Sequence, residues 1–443
     1  LIYGENDRPP VRILLLLALQ HIFLMSSTLV LPVALVTEIG QSSADVRIVV
    51  SMSMITCGLG TIIQAIRGRW LGSGFLCPNL VGPNFLPASA QAAWLGGLPL
   101  MRGMTIFAGL VAVVFARFVR HLRFLFPPEI TGLVVLMVAF GLVPLGTSKY
   151  LGVNFTGEPI SGVVLLVATL TLLVMMGANV WGGQRFRLYG VLLGIACGYA
   201  LSYAAGLLTA DRFHDLARAP WFAAPILQGP WELSFRWSLA PTFAIVSICG
   251  ALKSFGNLIM CEKVNDEGWR EADIRRISNG LVADSVCVTA SGLLGGMASD
   301  TSTSNVALSK ASGATSRVIG FAAGGLFILL GFFPKLGAFL AMMPMPVMGA
   351  ILVFVTCFMI LSAIQIILAV PVDARLVFVV GIPLIFRLSL DVLPVMYASL
   401  PPWFQLLTES PLAFCTVLSV SLNLLFSRKH GLPDFLKGAT FKR

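Results

Sequence analysis

The sequence predicts an all-α polytopic membrane protein, and three observations carry that prediction. Hydrophobic residues make up 57% of the 443-residue chain, whereas charged residues make up only 11%, against about 25% in soluble proteins. So few charges cannot cover a water-exposed surface. Apolar runs recur along the chain, and a run of about 20 residues is enough to cross a bilayer as a helix. The net charge of +10 therefore reports orientation in a membrane rather than nucleic-acid binding.

Hydropathy predicts about fourteen spans of roughly 20 residues each. Most of the 30 Lys and Arg residues fall on the side of the membrane that holds the N-terminus. This bias predicts that both termini are cytoplasmic, and we expect the chain to lie in a bacterial inner (plasma) membrane. The approximate limits of the spans are 13–36, 47–66, 74–94, 100–119, 128–146, 160–178, 187–207, 240–261, 278–296, 303–314, 316–333, 346–368, 374–390 and 410–427.

Two segments are unsuited to an ordinary spanning helix. Residues 75–90 contain three prolines and a glycine, and residues 299–305 read SDTSTSN, seven small polar residues in a row. Such backbone is tolerated at membrane depth only where it lines a cavity or is buried in protein. The two segments occupy the third predicted span of each half. Their placement predicts 7+7 inverted repeats, with broken third and tenth spans and a site at the midplane.

Lys253 lies near the middle of the predicted span 240–261. A charge there costs about 2.5–3.5 kcal/mol on insertion scales, so the side chain must face a cavity or a partner. Asn257 follows four residues later on the same helical face. Asp284 is the candidate counter-ion nearest in sequence. Asp300 is a second candidate, expected closer to the outer face, and a purely structural ion pair is the alternative to a role in binding.

The polar segment 299–305 offers hydroxyls, an amide and backbone N–H groups at the start of a predicted half-helix. The positive end of that helix would point at the midplane and favour an anion or a polar ring edge. The interrupted segment 75–90 would present groups from the opposite side, including the backbone around residues 81–82. The predicted substrate site comprises Lys253, Asn257, Phe85, Asn84, Ser302, Thr303, Ser304 and Asn305.

Several motifs resemble those of the nucleobase/ascorbate transporters, a family that includes uracil and xanthine permeases. In SNVALSKASGATSR (304–317) the family signature is matched at Asn305, Gly313, Ser316 and Arg317, with Ser312 in place of Thr and Ala307 in place of Gly. The first span carries a Gln-His pair typical of the family. Further similar segments are DRPP (7–10), GSGFLCPNLVGPNFLP (72–87) and MPMPVMGAILVF (343–354).

The resemblance implies a core domain, a gate domain, a homodimer and elevator-like alternating access. The implied core comprises residues 1–120 (spans 1–4) and 211–335 (a loop and spans 8–11). The implied gate comprises residues 121–210 (spans 5–7) and 336–428 (spans 12–14), with a cytoplasmic tail at 429–443. The implied function is secondary transport of nucleobase-like solutes of the purine, xanthine, urate or uracil class. No cofactor and no metal site are implied.

The resemblance also suggests roles for individual side chains. Phe85 matches a family position that stacks on the substrate ring. Asp284 matches an Asp or Asn near the start of the ninth span and is expected to support the site as a hydrogen-bond acceptor. His21, beside Gln20, is unusual at membrane depth, and we expect it to hydrogen-bond the backbone of the site rather than the substrate.

Two departures from the family bear on the substrate. Lys253 stands where the family usually has Glu, and Ser304 stands where it has Gln or Glu. We therefore predict that proton symport through the eighth span is lost and that an anionic or electron-rich ligand is favoured. The coupling ion stays open between a proton, sodium and none.

Other functional classes receive less support. An inorganic or carboxylate anion transporter of the same architecture is the main alternative, followed by a channel or a non-transporting membrane protein. The chain has no Walker A motif, no HExxH and no nucleophile elbow in a suitable context, so an ATP-driven pump and a membrane enzyme are not expected.

Overall fold

A computed structural model describes residues 1–122, 127–153, 160–183, 189–208, 213, 216–224, 232–266, 269, 272–393, 397 and 411–427. The predicted cytoplasmic tail at 429–443 lies outside this part of the chain, as does part of the segment 208–239 between the predicted seventh and eighth spans. Within it the structure is almost entirely helical.

The described helices follow the predicted apolar runs closely. Gly96 and Gly97, the latter with φ of 68°, interrupt α4 between the predicted third and fourth spans. The helices are α1 (Val11–Ser26), α2 (Val30–Glu38), α3 (Ser43–Ala65), α4 (Leu86–Leu122), α5 (Pro128–Leu151), α6 (Gly162–Val180), α7 (Gly190–Ala204), α8 (Ala240–Asn265), α9 (Ile274–Leu294), α10 (Thr303–Ser312), α11 (Arg317–Gly331), α12 (Pro334–Ala341), α13 (Met345–Ile367), α14 (Ala374–Val392) and α15 (Pro411–Ser427).

In the described residues, eight helical stretches are long and apolar enough to cross a membrane. A ninth is obtained if α11 and α12, which meet at a bend of 74°, are counted as one broken span. Two shorter apolar helices, α7 and most of α15, add to them. The prediction of an all-α polytopic membrane protein is therefore confirmed, whereas the count of fourteen spans stays a prediction.

Two three-residue strands form a small antiparallel sheet. β1 (Asn79–Val81) pairs with β2 (Ser299–Thr301), and Leu80 lies opposite Asp300. β1 leads through a 3-10 turn at Pro83–Phe85 into α4, and β2 leads into α10. The prolines around β1 prevent a helix from forming earlier because proline lacks the N–H that helical hydrogen bonds need. The sheet thus brings the starts of two helices, 217 residues apart in the chain, to the same place.

Small residues let α3 approach both α9 and α11 closely. A Cβ built on Gly58 would lie 2.7 Å from the carbonyl oxygen of Gly324, and one on Gly60 would lie 2.3 Å from Sγ of Cys287. Glycines at helix–helix contacts permit such backbone approach in membrane proteins. α3 therefore fixes α9, and with it the position of Asp284 beside β1.

The chain divides into two compact units. One comprises Leu1–Arg120 with Gly141–Cys357, and it contains both strands and the whole predicted site. The other comprises the described residues of His121–Phe140 and Phe358–Arg443. In the second unit Val135, Leu136 and Ile367 belong to a buried apolar cluster, and Glu129 forms an ion pair with Arg375.

Candidate functional site

Lys253 is paired with Asp300. Nζ of Lys253, on α8, lies 3.0 Å from both carboxylate oxygens of Asp300 in the middle of β2. Asp300 is 1% exposed, and the Lys253 side chain is 27% exposed. Nδ2 of Asn84 donates a further hydrogen bond of 3.0 Å to Oδ2 of Asp300. The carboxylate is therefore covered by three hydrogen bonds, while part of the lysine side chain remains accessible.

Asp284, which the sequence ranked first as a partner for Lys253, is bonded to other groups. Its Oδ1 accepts from Nδ2 of Asn79 at 2.7 Å, and its Oδ2 accepts from the hydroxyl of Ser254 at 2.7 Å. The ranking by sequence distance was wrong, because β2 carries Asp300 against the face of α8 that bears Lys253. The expected role of Asp284 as a buried hydrogen-bond acceptor agrees with this geometry.

Asn257 connects α8 with β2 and α10. Its Nδ2 donates to the carbonyl oxygen of Thr301 at 3.2 Å and to Oγ1 of Thr301 at 2.9 Å. Its Oδ1 accepts from Oγ1 of Thr303 at 3.0 Å. Oγ1 of Thr301 in turn donates to Oγ of Ser254 at 2.8 Å. Asn257 thus holds the start of α10 in place, and its amide groups are already engaged within the protein.

The N-terminus of α10 is capped by the chain itself. Ser302 is the N-cap residue, and its hydroxyl accepts from the backbone N–H of Asn305 at 3.1 Å. The first backbone N–H groups of a helix have no intrahelical acceptor, so those of Thr303 and Ser304 are available to a ligand. The side chains of Thr303 and Ser304 are exposed. This end of the helix combines partial positive charge with hydroxyls that a ligand can reach.

His21 contacts the site differently from the prediction. Its Nδ1 lies 2.7 Å from Oδ1 of Asn305, and both side chains are buried. The partner is therefore a side chain rather than the backbone of the site, because the backbone N–H of Asn305 is already bonded to Ser302. Gln20 is half-buried on the same helix, one residue before His21.

The β1 side of the site is more closed than the sequence suggested. The backbone N–H of Gly82, in the segment expected to present groups to the site, donates to the carbonyl oxygen of Ala298 at 2.9 Å. Phe85 is buried, and its ring lies within 3.5 Å of a Cβ built on Gly250. In this conformation α8 therefore covers the ring, and stacking on a ligand requires the ring or α8 to move.

Sequence reasoning assigned no role to Asn79, Ser254 or Thr301. All three are buried and complete the hydrogen bonding of Asp284 and Asn257. One signal could have found Ser254, since it adjoins Lys253 and lies three residues before Asn257. Asn79 and Thr301 lie opposite each other in the sheet, and this pairing has no local signature.

The described site holds two carboxylates, Asp284 and Asp300, and one lysine ammonium. Hydroxyls, amides and the open end of α10 complete it, and no group of three or more His, Cys, Asp or Glu residues suited to a metal ion occurs in the described part of the chain. Such an arrangement provides charged and neutral hydrogen-bonding groups for a small polar ligand, and it has no nucleophile activated by a neighbouring base.

Comparison with known proteins places this chain in a family. Residues 12–396 match the family model Xan_ur_permease, described as "Permease family". The chain is 24% identical to the xanthine permease XanP of Escherichia coli (strain K12), over 96% of this chain and 94% of that permease. It is 25% identical to the uric acid permease PucJ of Bacillus subtilis (strain 168), over 93% of this chain and 92% of that permease.

Solved structures show the fold. The transmembrane domain of the cyanobacterial bicarbonate transporter BicA has a TM-score of 0.58 and 12% identity, with 95% of this chain and 99% of that chain covered. The murine anion transporter Slc26a9 in its inward-facing state has a TM-score of 0.63 and 11% identity, with 96% of this chain and 69% of that chain covered. From the family match over most of its length, the chain belongs to the nucleobase/ascorbate transporter family and is a membrane transporter rather than an enzyme.

Proposed function

We propose that the protein is a secondary transporter of nucleobase-like solutes, of the purine, xanthine, urate or uracil class. The observation that carries the proposal is the convergence of Lys253, Asn257 and the open N-terminus of α10 beside the β1–β2 sheet. These groups suit a flat ring with a polar edge. The xanthine permease and uric acid permease to which the chain is similar support the same class.

The proposed ligand lies within reach of Lys253, Asn257, Asn84, Thr303 and Ser304. Phe85 packs beside it once the covering by α8 is relieved, while Ser302, Asn305, Gln20, His21 and Asp284 hold the surrounding backbone and side chains in position. A ligand with an electron-rich edge is favoured, because the α10 N-terminus presents partial positive charge. A fully anionic ligand, including an inorganic anion or a carboxylate, is the second candidate on the same grounds.

The proposed mechanism is elevator-type alternating access by a homodimer with fourteen spans in 7+7 inverted repeats. The segments around β1 and β2 are the broken third and tenth spans. The core consists of residues 1–120 and 211–335, and the gate of residues 121–210 and 336–428. Support comes from the matching strand-then-helix order after Asn79 and Ser299. We place the protein in a bacterial inner membrane with both termini cytoplasmic.

A ligand screen tests this function. Purified protein is heated with uracil, xanthine, urate, ascorbate, an aromatic carboxylate or small anions, and the unfolding midpoint is recorded. Binding to the native state raises the midpoint by mass action, so we expect a nucleobase to raise it most. Counterflow in proteoliposomes then separates a carrier from a channel. A midpoint raised only by inorganic anions would instead favour the second candidate.

We also propose that proton symport through the eighth span is lost, because residue 253 carries an ammonium that cannot alternate between neutral and anionic forms. A fixed ammonium can instead imitate a bound cation, which would allow uniport or exchange. The measurement is substrate accumulation in proteoliposomes with an imposed pH gradient and no other gradient. Strong inward accumulation that Lys253→Met abolishes would contradict this proposal.

A further inference from the structure

Asp300 has no part in the family motif, yet it is the group most closely bonded to the central lysine. We infer that Asp300 is a specificity-determining residue that suppresses anion binding at Lys253 and restricts the site to neutral ligands with a lactam edge, –C(=O)–NH–. This inference rests on the proposed function for the identity of the transported solute, and it deepens that function by naming the charge and edge of the ligand.

Asp300 uses most of the hydrogen-bond donors of the Lys253 ammonium. A lysine ammonium has three N–H donors and no acceptor. Both oxygens of Asp300 lie 3.0 Å from Nζ, so the pair uses the donors that face β2. At most one of the three N–H donors of Lys253 is then left for a ligand. One donor is enough for a carbonyl oxygen, whereas a carboxylate or an oxyanion is bound better by two or more.

Asp300 is held in a fixed position. It lies in the middle of β2, opposite Leu80, and Nδ2 of Asn84 holds Oδ2. A Cβ built on Gly82 would lie 3.2 Å from Cγ of Asp300, so backbone closes that side of the carboxylate. Asp300 therefore stays beside the ammonium when a ligand arrives, and the longer lysine side chain is the partner that can adjust.

The carboxylate of Asp300 opposes the binding of an anion at Lys253. An anion that binds Lys253 is attracted by the ammonium but is repelled by the carboxylate only one ion-pair distance farther away, and both interactions are strong in a site of low dielectric. The paired groups together present almost no net charge. A neutral carbonyl avoids the repulsion and still gains a charge-assisted hydrogen bond.

Thr303 can accept a hydrogen bond from the N–H group of the ligand's lactam edge. Oγ1 of Thr303 donates its proton to Oδ1 of Asn257, so this oxygen can only accept a hydrogen bond from a ligand. Lys253 and Asn257 are one helical turn apart on the same face of α8. A ligand with a carbonyl for Lys253 and a nearby N–H for Thr303 therefore matches both groups, which is the pattern of a cyclic lactam or imide.

The test compares Asp300→Asn with Lys253→Met/Asp300→Asn. Binding of nitrate and bicarbonate (anionic probes) and of uracil (a neutral lactam probe) is measured by calorimetry on purified protein. We expect Asp300→Asn to bind the anions at least tenfold more tightly than the wild type and uracil no more tightly. The gain should vanish in the double variant, because the freed ammonium is its cause.

Glu129→Gln is the matched control. Glu129 and Arg375 form a pair with side-chain exposures of 3% and 25%, close to those of Asp300 and Lys253, but in the other compact unit. This control should leave anion binding unchanged. A folded Asp300→Asn protein without increased anion affinity would overturn the inference, and so would a gain that persists without the lysine.

A second measurement covers the case in which Asp300→Asn does not fold. Lys253→Met alone leaves a buried carboxylate without its cation, whereas Lys253→Met/Asp300→Asn removes both charges. The double variant should therefore unfold at a higher temperature than Lys253→Met, and an equal or lower midpoint would refute the pairing. If no variant binds a nucleobase but the anion gain appears, the proposed function fails while the role of Asp300 stands.

Discussion

The buried ion pair between Lys149 and Glu38 allows the loss of thermal stability on its removal to be predicted. Nζ of Lys149, in the last turn of α5, lies 2.6 Å from Oε2 of Glu38 at the end of α2, with side-chain exposures of 6% and 17%. Gly349 of α13 closes the site, since a Cβ there would lie 2.1 Å from the backbone nitrogen of Tyr150. Water therefore has little access to the ammonium.

The predicted effect of Glu38→Gln follows from that burial. Removing one partner of a buried ion pair costs about 3–5 kcal/mol, because an uncompensated charge is left behind. The negative end of the α5 dipole partly compensates the charge of Lys149 and so reduces this cost by about 0.3–1 kcal/mol. The net loss is therefore about 2–5 kcal/mol. At roughly 2 °C per kcal/mol for a large chain, the unfolding midpoint should fall by about 4–10 °C.

The assay is thermal unfolding of purified protein at one fixed scan rate, because irreversible unfolding makes the midpoint depend on scan rate. Arg67→Met is the control: Arg67 lies 3.8 Å from Glu5, and its side chain is 59% exposed. Exposed pairs contribute about 0–1 kcal/mol, so this midpoint should barely move. The combined variant Glu38→Gln/Lys149→Met should regain part of the loss. If Glu38→Gln lowers the midpoint no more than Arg67→Met does, the burial argument fails.

Two further substitutions test the packing around the site. His21→Ala leaves Oδ1 of Asn305 buried without its 2.7 Å partner, which should cost about 1–3 kcal/mol and weaken ligand binding, as thermal unfolding and calorimetry can measure. Gly60→Ala forces a methyl group to within 2.3 Å of Sγ of Cys287 and should cost about 1–3 kcal/mol by overpacking. Gly256→Ala is its control, because nothing lies within 4 Å of a Cβ at that position of α8, and its midpoint should hold or rise.

The fold class and the approximate helices could be predicted because they depend on local composition. Apolar runs, the proline-rich segment 75–90 and the polar segment 299–305 are each visible in a window of about 20 residues. The strand pairing between Asn79 and Thr301 could not be predicted, because each strand has only three residues. Too few side chains are present for a period-2 pattern to be recognised.

The grouping of these polar side chains could be expected from the sequence, but the hydrogen bonds between them could not, and their role as a substrate site stays a prediction. Lys253 and Asn257 stood out because polar side chains are expensive at membrane depth. Which carboxylate would neutralise the lysine depended on a contact between α8 and β2, and sequence distance wrongly favoured Asp284 over Asp300. For the same reason His21 was assigned to the backbone, although its partner is the side chain of Asn305.

This distinction decides how a substituted residue in a familiar motif should be interpreted. Read alone, a lysine at position 253 adds a positive charge to the site and argues for an anionic ligand. In the structure that charge is cancelled by Asp300, and Asp284 adds a carboxylate that accepts hydrogen bonds from the neutral side chains of Asn79 and Ser254. The electrostatic character of the site therefore belongs to the three residues together. A change at any one of them therefore alters the ligand charge preference both through its own charge and through its effect on the other two.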